Sequence, residues 1–175
     1  MALIVTSNYG PPARMLCLVE SRTCPNSRQG FRSELKDGET FKTKFIGASE
    51  QDCQNWALEK QFQVDFIEQD FIVIADARSA KDGTVLVQIY MRELDAPIEF
   101  GEFGILPRER NIWYVFRVDH KDAVEVFISL RYGPIDSAYP TYFGRTAELT
   151  DERGIFDVTK ATWYIQGKNR LVAQA

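Results

Sequence analysis

Residues 71–91 read FIVIADARSAKDGTVLVQIYM, and the fold reading turns on this stretch. Phe71–Ala75 is apolar at every position, the composition of a strand covered on both faces. Thr84–Met91 is a second β-type run, with Val85, Val87, Ile89 and Met91 on one face and Leu86, Gln88 and Tyr90 on the other. Between them Asp82-Gly83 is a strong turn pair, which favours a hairpin over a parallel crossover.

Working outward, IWYVFRV at 112–118 alternates as a third strong strand, and Phe41–Ile46 alternates as a half-buried one. Two helices are expected. The first starts at Ser49, with Asp52 in its opening turn, and runs over 50–61 with Cys53, Trp56 and Ala57 inward. The second follows an N-cap at Asp119 and carries Ala123, Val124, Phe127 and Ile128 at helical spacing until Gly133-Pro134 stops it. The paired glycines in 97–105 suggest a bent strand, 155–158 and 162–165 suggest closing strands, and 133–150 reads as a Tyr/Pro-rich loop.

The pattern predicts an α+β fold: a single mixed α/β domain whose mainly antiparallel or mixed sheet of about five to seven strands carries two amphipathic helices. A β-sandwich or barrel with peripheral helices is the competing architecture. Residues 1–40, broken by Pro11, Pro12, Pro25 and Gly30, read as an irregular N-terminal arm laid on a domain formed by 41–175.

Composition bounds the function. The 175-residue chain has 21 basic and 25 acidic side chains, a net charge of −4, so it lacks the basic field of a nonspecific nucleic-acid binder. Local basic groups at Arg108, Arg110 and Arg117, and at Lys160, Lys168 and Arg170, are expected to be solvated surface. No run is long enough to cross a bilayer, and the first ten residues have neither the basic nor the apolar region of a signal peptide. Cys17, Cys24 and Cys53 make a poor disulfide framework, and reduced thiols in a cytoplasmic setting are expected.

Nucleotide-loop, zincin, nucleophile-elbow and CxxC motifs are absent, so the sequence implies no cofactor or metal. His120, the single imidazole, begins a helix with no partner indicated. Two function readings remain. The first is a non-enzymatic protein-binding or self-assembly protein, a homo-oligomer or the partner of another protein. Its interface would be Tyr9, Arg14, Tyr132, Tyr139, Tyr142, Phe143 and Arg145, because Tyr and Arg bring rigid contact area with polar tips. The second is a small carboxylate-dependent enzyme that could hold Mg²⁺, with Asp76, Glu93, Asp95 and Asp119 following core strands and converging on one cleft. Trp113 and Trp163 are expected to pack against a sheet.

Overall fold

The computed structural model describes residues 2–7, 16–26, 30–32, 36, 38–60, 63, 67–93 and 97–167. They form a mixed α/β fold with an antiparallel sheet, divided into two compact units, Met1–Ile89 and Tyr90–Ala175.

In the first unit the strands are β1 (Ala2–Ser7), β2 (Leu16–Leu18), β3 (Ile67–Ala75) and β4 (Thr84–Met91), whose last two residues belong to the second unit. The order is β2-β1-β3-β4 with every pairing antiparallel. Two strands thus lie within residues 1–40, and β1 bonds β2 on one side and β3 on the other, with Ile4 opposite both Leu18 and Val73. The hairpin read from residues 71–91 is present, with Ile74 opposite Leu86 and Phe71 opposite Ile89. Its connection includes the single-turn helix α2 (Ser79–Asp82), closed by Gly83 at φ 71°, a left-handed conformation that a side chain would strain. Ile67, Ile72, Val73, Ile74 and Val87 are buried, each worth about 1.5–3 kcal/mol relative to exposure.

Helix α1 (Glu50–Lys60) starts at the box read from the sequence. The Asp52 backbone N–H donates to Ser49 Oγ at 3.1 Å, and the Ser49 N–H donates to the Asp52 carboxylate at 2.9 Å. Its inward face carries Cys53, Trp56 and Ala57. Gln88 of β4, completely buried, is satisfied from this helix: Gln54 donates to its carbonyl at 2.8 Å, and its amide donates to Glu50 at 2.7 Å. Cys17, Cys24 and Cys53 form no disulfide. Burial, with the Asp52 charge adding, pushes the Cys53 thiol up to about 11, which makes it a packing residue rather than a nucleophile.

Four expectations are corrected. Residues 41–46 form no strand. The Thr43 hydroxyl donates to the Val19 carbonyl and accepts from the Phe45 N–H, so a side chain takes the bonds a ladder would need. Phe45 is nevertheless buried, edge-on to Trp56 at 5.6 Å. Residues 97–105 close a tight loop through a 3₁₀ turn, Gly101–Phe103, because Gly101 and Gly104 both take positive φ.

Residues 133–150 are helical: α4 (Ile135–Tyr139), a π-helical turn (Pro140–Gly144) and α5 (Thr146–Leu149). The hydroxyls of Thr141, Thr146 and Thr150 each donate to the carbonyl four residues earlier. Residues 158–165 are helix α6 (Val158–Ile165), not a strand, capped by the Asp157 carboxylate accepting from the Lys160 N–H at 2.8 Å.

The second unit also holds β5 (Ile112–Asp119), which leads through a 3₁₀ turn (His120–Asp122) into α3 (Ala123–Tyr132). Asp119 caps that turn, accepting from the Lys121 N–H at 3.0 Å. The core here is built of rings. Tyr142 stacks on Phe156 at 5.1 Å, and Phe116 meets Tyr142 at 5.6 Å and Phe156 at 5.2 Å.

Candidate functional site

The aromatic and arginine residues singled out around 132–145 all fall in the second unit, at different depths. Tyr142 is completely buried among Phe116 and Phe156, and burial raises its phenol far above the usual range. Tyr139 is half-buried, between Phe100 at 5.8 Å and Phe143 at 5.2 Å. Its phenol is raised by burial and pulled back by the charges of Arg110 and Arg131. Phe143 is half-buried and edge-on to Tyr114 at 4.8 Å. Tyr132 is 52% exposed, with its ring against Phe127. Tyr9 and Arg14 lie outside the described residues.

Arg145 is the hub of the polar part. Its guanidinium sits over the Phe103 ring at 5.1 Å and over the Tyr164 ring at 4.8 Å. It also donates to Glu148 at 2.9 Å and approaches Glu102 at 3.8 Å. Glu148 in turn accepts from the Tyr164 hydroxyl and pairs with Lys160 at 3.6 Å. The Tyr164 and Arg145 hydrogen bonds hold the Glu148 carboxyl below its ordinary value. A glycine makes the ring approach feasible: a Cβ at Gly144 would stand 2.6 Å from the Phe103 ring. The sequence reading named Arg145 but not Phe103, Glu148 or Tyr164. The Arg145–Glu148 spacing of three residues was the available signal, once 146–149 is read as helix.

Each described carboxylate of the proposed catalytic set has a local structural partner. Asp76 accepts from the backbone N–H groups of Arg78 and Ser79 and from the Ser79 hydroxyl. Glu93 meets the Asn111 amide at 3.4 Å, and Asp119 caps its turn with His120 Nδ1 at 3.2 Å. Asp95 lies outside the described residues. No group of three or more His, Cys, Asp or Glu side chains that could hold a metal ion occurs among the described residues. In the basic group, Arg108 is exposed, Arg117 is half-buried, and Arg110 buries both terminal guanidinium nitrogens without hydrogen-bond partners.

Trp163 was expected against a sheet. It is instead 48% exposed on α6, at the edge of a cavity of about 350 Å³ that Asp122 and Glu125 also line. In the first unit a more apolar hollow of about 710 Å³ is lined by Ala48, Ala77, Arg78 and Lys81. No described helix is long and apolar enough to cross a membrane. Comparison with family models, with curated proteins and with solved structures returns no match.

Proposed function

We propose that the protein is a non-enzymatic binding or self-assembly protein whose interface is made by aromatic- and arginine-containing segments of the second unit. One observation carries this reading. Of the six large apolar side chains exposed among the described residues, five (Ile105, Val115, Tyr132, Ile135 and Trp163) belong to Tyr90–Ala175, against Ile46 alone in the first unit. Tyr132 and Ile135 stand three residues apart at the α3–α4 junction, beside the segment that holds Arg145. Exposed rings next to arginine are the composition of interface cores.

Tyr9 and Arg14 are proposed as further interface residues, with residues 1–40 read as the arm and 41–175 as the domain. A cytoplasmic location and a sheet of five or more strands belong to the same reading. They rest on the absence of a disulfide among Cys17, Cys24 and Cys53 and on the alternation within residues 112–118.

Light scattering over a range of concentrations tests it. Deleting residues 1–14 would remove β1, so point variants are the better probe. The wild type is expected to dimerise with rising concentration, and Tyr132→Ser with Ile135→Ser to stay monomeric with unchanged circular dichroism. A wild type that is monomeric throughout overturns self-assembly.

A further inference from the structure

The cavity in the second unit has a chemistry the aromatic face lacks. Asp122 ends the 3₁₀ turn after β5, and Glu125 stands in the first turn of α3. Opposite them α6 and the residue after it supply Thr159, Thr162, Trp163 and Gln166. No lining residue among those described is cationic. The carboxylates, hydroxyls and amide all offer acceptor oxygens, and the indole offers a π face. Trp163 makes no ring contact or hydrogen bond among the described residues. At about 350 Å³ the space is near the lower end of ligand cavities, which run to roughly 300–1,000 Å³, and suits one long side chain.

The surroundings sharpen this. Burial and the charges of Asp119 and Asp157 oppose ionisation of Asp122, while Lys121 and His120 favour it. Glu125 is half-buried and accepts weakly from Ser129 at 3.4 Å. The completely buried Tyr142 hydroxyl lies near the Ser129 side chain and feels the charges of both Glu125 and Asp122. Like charges crowded around a groove edged by an exposed indole are unfavourable in the free protein, and an incoming cation relieves them. Two lining carboxylates are too few for a metal cage, which leaves an organic cation as the fitting guest.

We propose that this cavity receives the cationic side chain of an arginine or lysine presented by a basic segment of a partner protein. Asp122 and Glu125 would pair with its charge, and Trp163 would cover its stem. The inference deepens the binding-protein reading by giving the partner's chemistry. It uses residues other than those of the oligomer test, so either can fail alone.

The test is fluorescence titration of the intact protein with a capped, arginine-rich hexapeptide and with its citrulline counterpart, which keeps the shape and removes the charge. The arginine peptide is expected to quench tryptophan emission and to bind at least about tenfold more tightly than the citrulline peptide. Glu125→Gln by the same titration, and Trp163→Phe by calorimetry because it removes the reporting indole, are each expected to weaken binding by about three- to tenfold at unchanged melting temperature. If Glu125→Gln perturbs folding, Asp122→Asn stands in. No binding by the arginine peptide, equal binding by both peptides, or variants that bind like the wild type would each overturn the proposal.

Discussion

The sheet of the first unit buries aliphatic strand residues such as Ile72, Ile74 and Val87, with Phe45 and Trp56 as its ring pair, whereas the second unit packs Phe116, Tyr142 and Phe156 ring against ring. The polar groups differ in the same way. Buried Gln88 in the first unit is held by Gln54 and Glu50, while in the second unit Asp122 and Glu125 line a cavity beside an exposed indole. Satisfied buried polar groups hold a scaffold together, whereas carboxylates at an open cavity stay available to a partner. The proposed interface belongs to the ring-packed unit.

Substitutions can break the comparison. The largest effect is expected at Phe116, which touches three rings: Phe116→Ala should cost about 3–5 kcal/mol, against about 0.5–1.5 kcal/mol for Ile74→Val in the sheet. Urea unfolding measures both, and a Phe116→Ala cost below that of Ile74→Val would remove the ring cluster as the second unit's core. Next, Glu50→Ala strips the acceptor from the buried Gln88 amide and should cost about 1–3 kcal/mol, whereas Arg145→Lys, which keeps the charge but loses the planar stack, should cost about 1 kcal/mol. Asp157→Ala removes the α6 cap and should cost about 1 kcal/mol, visible as faster amide exchange in residues 158–161.

The smallest effects concern pH. Asp52, Asp82 and Asp151 are held below the usual carboxylate range by hydrogen bonds from neighbouring backbone or hydroxyl groups. Their contribution is complete above their unfolded values, near pH 4, and is lost as pH falls through the depressed folded values. Asp122 has the opposite sign. Its carboxyl is raised, chiefly by burial, so its ionised form costs stability at neutral pH and protonation relieves that cost as pH falls. Asp122→Asn is accordingly expected to raise the melting temperature slightly at pH 7 and to have no such effect near pH 3. A fall in melting temperature at pH 7 would remove charge crowding from the cavity argument.

Legibility in the sequence followed the range of the interactions. Residues 71–91 declared their hairpin because alternation, β-branching and Asp82-Gly83 are all local. The α1 start at Ser49 and Asp52 was legible for the same reason. Residues 133–150 were misread because tyrosine and proline suggest a loop. The helical spacing of Ala138, Thr141, Tyr142 and Leu149, all buried, carried the better signal. Residues 158–165 were misread because Thr162–Ile165 alternates over too short a window, while Asp157 had already supplied a cap. Of the cavity, the sequence offered Trp163 and the acids separately, with nothing to bring them together.

The sequence by itself determined the α/β class, the central hairpin, two of the helices and the absence of familiar catalytic motifs, since these depend on residues within a turn or two of one another. Tertiary structure alone decided that Tyr142 is core and Tyr132 surface, that Arg145 lies between two rings, and that Asp122 and Glu125 face Trp163 across a cavity. Burial and charge environment are properties of which distant segments meet, and no local pattern encodes that meeting.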